Sequence, residues 1–206
     1  MEIQTLSMMF VSRMTPSRLH SILALPCLHS LTLKNIGRFD TDDGEALTHQ
    51  ITPVDELSVD SRHVTSLWNL GLHTSCPRVK TLTLNWWYKE NVTSEIVTVA
   101  CSPFYHLTHI CLDGTPVATL DDPVSFCDAV KTSCPRLTKL SLTNIVLTNK
   151  KAAEIIQLLK THPHLTSIQL DLCHTNADLD PLISEVNSEG KLTVIVKHGG
   201  RFPRSW

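Results

Sequence analysis

One apolar pattern, L-x-x-L-x-L, recurs along almost the whole chain and limits what the chain can fold into. Leu137-Thr138-Lys139-Leu140-Ser141-Leu142 is a full copy, and Leu107, Ile110 and Leu112 form another. Leu165, Ile168 and Leu170 follow, and Val79, Leu82 and Leu84 come earlier, as do Leu28, Leu31 and Leu33. The gap between Leu28 and Val79 is twice the usual step, and Val54, Leu57 and Val59 fill it. Ile3, Leu6 and Met8 fit one step upstream of Leu28. A degraded last copy begins at Leu192, with Lys197 at its sixth position. The copies start at 3, 28, 54, 79, 107, 137, 165 and 192, so the steps are 25, 26, 25, 28, 30, 28 and 27. A period of 20–50 residues is the mark of an array of supersecondary units.

The last two apolar positions of each copy alternate, so they share one face of a strand. The first covers the turn into that strand. Proline falls just before most copies, at Pro26, Pro53, Pro77, Pro103, Pro135 and Pro163. A proline cannot continue a helix, so each one stops a helix and sends the chain into the next strand. The unit Ser75-Cys76-Pro77-Arg78 returns as Ser133-Cys134-Pro135-Arg136. Helix signals lie between strands. Thr15-Pro16 supplies an N-cap and a first-turn proline, followed by Leu19, Ile22, Leu23 and Leu25. Asp122-Pro123 opens another, 148–162 is the clearest amphipathic segment, and 176–187 is the last. The pattern predicts one strand and one helix per unit. A single unit cannot bury its own apolar face, so neighbours must stack.

These strand motifs and helix-bearing units resemble the intracellular leucine-rich repeat family of the ribonuclease-inhibitor type. The resemblance runs from Ile3 to about Val196. It implies an α/β fold: a solenoid or horseshoe with a parallel β-sheet of about eight strands on its concave side and helices on its convex side. The repeat domain is expected over 1–197, with a tail at 198–206. The cysteine-proline before the strands and the Leu-Thr strand openings are most similar to the C-terminal repeats of NOD-like receptors. That likeness implies a non-catalytic, cytoplasmic, ligand-sensing or autoinhibitory module of an innate immune protein. The substrate-recognition part of an F-box-type ubiquitin-ligase adaptor is the alternative, because the 25- and 26-residue steps suit it. A free-standing inhibitor would need a larger and more charged face. No G-x-x-x-x-G-K-[ST] phosphate loop is present, so the chain carries no such ATPase. The first strand begins at Ile3 without a polar cap, which solenoids need. This predicts a fragment, a short isoform or a member that has lost its effector domain.

Composition narrows the partners. The net charge of −2 argues against nucleic acid, which demands clustered Lys and Arg. No run approaches the roughly 18 apolar residues of a membrane span, and the acidic start at Glu2 does not read as a signal peptide. Seven cysteines, an odd number without an export signal, point to free thiols in a reducing compartment. The sequon Asn91-Val92-Thr93 has no meaning without secretion.

A protein partner is expected on the concave face, where the third, fifth and seventh residues of each copy point outward. The candidates are Glu56, Asp60, Thr83, Asn85, His109, Asp113, Lys139, Ser141, Gln169 and Asp171, with Trp87 at the rim. The face is polar with a mild acidic bias. In Trp86-Trp87-Tyr88, one indole is expected to fill the turn core and the other to meet the partner, since Trp and Tyr are favoured at hot spots. No metal, cofactor or catalytic residue is expected. His106-x-x-His109 has no carboxylate or thiol nearby to complete a tetrahedral site. His162-Pro163-His164 reads as a helix stop, where His suits the dipole. Cys76 and Cys134 share one repeat position and read as buried packing; Cys173 reads as a turn residue, and Cys111 as an exposed thiol. No G-x-S-x-G elbow places a nucleophile.

Overall fold

The computed structural model describes residues 3–39, 47, 51–86, 91–115, 117–172 and 179–198. Eight strands form one sheet: β1 (Thr5–Met9), β2 (Ser30–Lys34), β3 (Glu56–Asp60), β4 (Thr81–Asn85), β5 (His109–Asp113), β6 (Lys139–Ile145), β7 (Ser167–Leu172) and β8 (Thr193–His198). Every pair is parallel, and the strands lie side by side in chain order. Helices intervene: α1 (Pro16–Leu23), α2 (Val64–Asn69), α3 (Leu72–Ser75), α4 (Ser94–Cys101), α5 (Pro123–Ser133), α6 (Asn149–Leu159) and α7 (Asp180–Ser188). A parallel pair needs such a crossover, because a two-residue turn cannot return the chain to the same end of the sheet.

The register places equivalent repeat positions opposite one another. Leu31, Leu57, Leu82, Ile110, Leu140 and Ile168 form one row, and Leu33, Val59, Leu84, Leu112, Leu142 and Leu170 the next. All twelve are buried. Behind them pack helix side chains such as Leu19, Leu67, Val97, Phe126, Val130, Ile155, Ile156 and Leu159, in one continuous core. Removal of apolar area from water drives this stacking. At β1 the same rows hold Leu6 and Met8, which are only half-buried.

The last copy corrects the sequence reading. Val194 pairs with Ile168 and Val196 with Leu170. These valines therefore hold the fourth and sixth positions, and the copy starts at Lys191 rather than Leu192. Lys197 points to the other face, next to Asp171 in register. A one-residue shift in register inverts every side chain, and burying the valines fixes the parity. The strand also runs to His198, one residue past the expected boundary.

The helix starts explain themselves locally. Thr15, Thr93, Asp122 and Thr148 each accept a backbone N–H three residues on, at 3.3, 3.4, 3.0 and 3.3 Å. The Leu-Thr strand openings have a reason as well. The hydroxyls of Thr108, Thr138 and Thr166 donate to the carbonyls of Lys80, Thr108 and Thr138 in the preceding copy, at 3.3, 3.0 and 3.1 Å. The eighth position turns left-handed in three copies, just after the strand at Phe10 and Asn35 and at the register irregularity within β6 at Asn144, with φ near 57°, 56° and 55°. At Gly114, the same position of the fifth copy, an added Cβ would meet the Asn144 carbonyl oxygen at 2.7 Å. No described helix is long and apolar enough to cross a membrane.

Candidate functional site

One face of the sheet is covered by helices, and the other carries the third and fifth residues of every copy. On that open face Glu56 is exposed, and Thr83, His109, Asp113, Lys139, Gln169 and Asp171 are half-buried. A shallow depression of about 390 Å³ lies over its N-terminal half. Hydroxyls of Ser30, Thr32, Ser58, Thr81 and Thr83 line it, flanked by Lys34 and Glu56. Hydroxyls on a flat sheet donate and accept equally well, so this surface suits a polar partner of either hydrogen-bonding sense. Lys34 on β2 reaches Asp113 on β5, with Nζ–Oδ2 3.8 Å. The two strands between them span roughly 14 Å of sheet at about 4.8 Å per strand, so this pair bridges the open face. Partly exposed pairs contribute at most about 1 kcal/mol, so a partner can displace it.

His109 lies beside Lys139 in register. Its pKa is lowered, first by desolvation and then by the Lys139 charge. Its Nδ1 sits 2.8 Å from the Thr108 hydroxyl. The Cys111 thiol is pushed up, mainly by burial. It is half-buried rather than exposed, so it is a poorer nucleophile than an open thiol.

Three candidates are buried rather than exposed. Asp60, Asn85 and Ser141 are 1%, 5% and 8% exposed. Asp60 and Asn85 end their strands. Their side chains are used internally. Asp60 accepts the Asn35 N–H at 2.8 Å and lies 3.8 Å from the Arg62 guanidinium. The Asn85 amide donates to the Ser58 hydroxyl at 3.0 Å and to the Val59 carbonyl at 3.1 Å. Ser141 is a small side chain between Cys111 and Gln169 in register. Trp87 lies outside the described residues, as do Tyr88 and Cys173. Trp86 is buried at 2%, and its indole N–H donates to the Asn91 carbonyl at 3.2 Å.

The sequon asparagine is fully engaged. Asn91 Nδ2 donates to Asp121 at 2.6 Å and Oδ1 accepts from the Thr119 hydroxyl at 2.9 Å. His106 is exposed and does not converge with His109 on a shared centre; among the described residues no group of three His, Cys, Asp or Glu is placed to hold a metal ion.

A separate groove lies at the edge where the strands begin. It measures about 510 Å³ and is lined by Arg78, Lys80, His106 and Arg136 among others. The repeated Ser-Cys-Pro-Arg unit was the signal for it, since it puts Arg78 and Arg136 at one repeat position. That repetition indicates the array, and only the stacked strands bring the two arginines to one edge. No protein-family model matches the chain, and no curated protein sequence matches it either.

Proposed function

We propose that the chain is a non-catalytic leucine-rich-repeat scaffold whose open, helix-free sheet face binds a protein partner. The observation that carries this reading is the register: successive copies align position by position, leaving one face of mostly polar side chains. Repeat arrays use such extended faces for recognition. The finer reading is the ligand-sensing or autoinhibitory part of a cytoplasmic NOD-like-receptor-type protein. It rests on the cysteine-proline and Leu-Thr strand openings at Cys76, Cys134, Thr108, Thr138 and Thr166. The F-box-type adaptor remains the second reading because β1 to β4 begin 25, 26 and 25 residues apart.

Quantitative co-purification tests the face. Thr83→Arg with Gln169→Arg places two long cations on it, and Gln157→Arg does the same on exposed α6. A partner set lost only with the first pair supports the reading. Identical sets from both variants sink it. Mapping the transcript to its true 5′ end separates the finer readings, by encoding a nucleotide-binding module, an F-box or neither.

A further inference from the structure

Positive charge gathers at the edge where the strands start. Arg78, His106 and Arg136 each precede β4, β5 and β6 by the same three residues. Lys80 stands one residue before β4. All four are exposed, and none of the three fixed cations has an ion pair or side-chain hydrogen bond among the described residues. Asp55 is the only acid among the described residues lining their groove. In a chain of net charge −2, such a concentration is local.

A second groove of about 380 Å³ adjoins the first and shares His106 and Arg136 with it. Its apolar lining comes from Phe104, Tyr105 and Pro135, beside the hydroxyl residues Thr98, Ser102, Thr132 and Ser133. Phe104 is buried and held edge-on by Trp68, with ring centroids 5.5 Å apart, so it forms a fixed floor. Tyr105 stands above it, 82% exposed. Tyr and Arg side by side over a rigid apolar floor are the residue types that dominate interface energetics.

Arg78 and Arg136 belong to strands two apart, so their stems are about 10 Å from each other. Alternate side chains of an extended peptide lie roughly 7 Å apart on one side. Two carboxylates on such a peptide come within reach of both guanidinium groups, whose planar forks match carboxylates.

We propose that this strand-entry groove binds an extended acidic segment of another protein, with its carboxylates over Arg78 and Arg136 and a neighbouring apolar side chain against Phe104 and Tyr105. The site is separate from the open sheet face and does not depend on it. An acidic peptide fits better than nucleic acid. Three fixed cations offset by Asp55 neutralise few phosphates, and the buried floor suits an aliphatic anchor.

The test is fluorescence anisotropy on the full chain with a fluorescein-labelled peptide of consecutive glutamates ending in leucine. Its glutamine counterpart and a labelled oligothymidylate are the comparison probes. The glutamate peptide is expected to bind, less tightly as salt rises, and to be weakened about tenfold or more by Arg78→Glu with Arg136→Glu. Tyr105→Ala weakens it by a smaller factor. Circular dichroism checks each variant, and Arg78→Gln with Arg136→Gln replaces the charge reversal if that variant misfolds. No binding by the wild type, equal binding by the arginine variants, or equal binding of the glutamine peptide overturns the proposal. Tighter binding of the oligothymidylate overturns it too, and assigns the groove to single-stranded nucleic acid.

Discussion

The Asp60 carboxylate accepts the backbone N–H of Asn35, in the neighbouring copy, at 2.8 Å, although Asp60 is 1% exposed. Asn35 is left-handed, with φ near 56°, and its N–H bonds to this side chain, where the N–H of Phe10 at the same repeat position bonds to the Lys34 backbone carbonyl. Asp60→Ala leaves that half-buried donor unpaired, a loss of about 1–3 kcal/mol. Urea unfolding should show a lower midpoint with an unchanged slope. Glu56→Ala, on an exposed residue of the same strand, should move the midpoint by under about 0.5 kcal/mol. Equal effects from both would mean that Asp60 is not a structural acceptor.

Phe10 occupies the same repeat position as Asn35, with φ near 57°, and is 76% exposed. A bulky L-residue there is strained by roughly 1–2 kcal/mol, which asparagine tolerates better. The backbone bond from Phe10 N–H to the Lys34 carbonyl, 3.2 Å, survives substitution. Phe10→Asn is therefore expected to stabilise by about 0.5–1 kcal/mol, raising the melting temperature by roughly 2 °C for a chain of this size. A lowered melting temperature would show that the exposed ring contributes packing that outweighs the strain.

The strands were readable in the sequence because their apolar rows recur with one parity. Leu140 and Leu142 need nothing distant to explain them. The parity failed only at β8, where Leu192, Val194, Ile195 and Val196 make a nearly continuous apolar run that hides which residues alternate inward. Capped helices were readable too: α5 and α6 start after Asp122 and Thr148 as expected, and α6 ends earlier, at Leu159 rather than near 162. Helix α4 was missed because Ile96, Val97 and Val99 are β-branched and suggest a strand. The paired helices α2 and α3 were missed as well; they divide at Gly71, φ near 88°. On the open face, Glu56 is exposed and Thr83 and Gln169 half-buried, whereas Asp60, Asn85 and Ser141 are buried, a difference that alternation alone does not carry.

The thiols divide by burial. Cys76 is pushed up to about 11 by desolvation, and Cys127 up to about 12 by the same cause. Cys101 is raised by its contact with the Cys134 thiol and by burial. Cys76, Cys101 and Cys127 are therefore thiols near neutral pH, and these three and Cys134 are buried. Brief alkylation of the native protein at pH 7.5 should modify Cys27 and Cys111, and spare Cys76, Cys101, Cys127 and Cys134 until denaturant is added. Cys111 should react more slowly than a free thiol because its pKa is raised. Peptide mass spectrometry reads the outcome, and early modification of Cys101 or Cys127 would contradict the packing.

His162 holds the repeat position of Cys76 and Cys134, three before the first apolar residue of its copy, and is 1% exposed. Its Nδ1 accepts the His164 N–H at 3.3 Å, so the ring proton sits on Nε2 and is donated to the Cys134 carbonyl at 3.1 Å. This fixes the neutral tautomer. A second proton would have to go on Nδ1 and break the bond from His164. The pKa is accordingly lowered, first by desolvation; the Cys134 carbonyl opposes this, and His164, Lys131 and Lys191 add to it. The unfolded chain then binds the proton more readily than the folded one, so stability rises with pH across the interval between the two pKa values. The contribution is complete above the ordinary histidine value of about 6.5 and is lost as pH falls below it toward the folded value. Urea midpoints at pH 8 and pH 5.5 should therefore differ more for the wild type than for His162→Gln, whose amide can still donate to Cys134. His109, also lowered but more open, should give a smaller change when replaced by Gln. Equal pH dependence in the wild type and His162→Gln would show that another group carries the acid sensitivity.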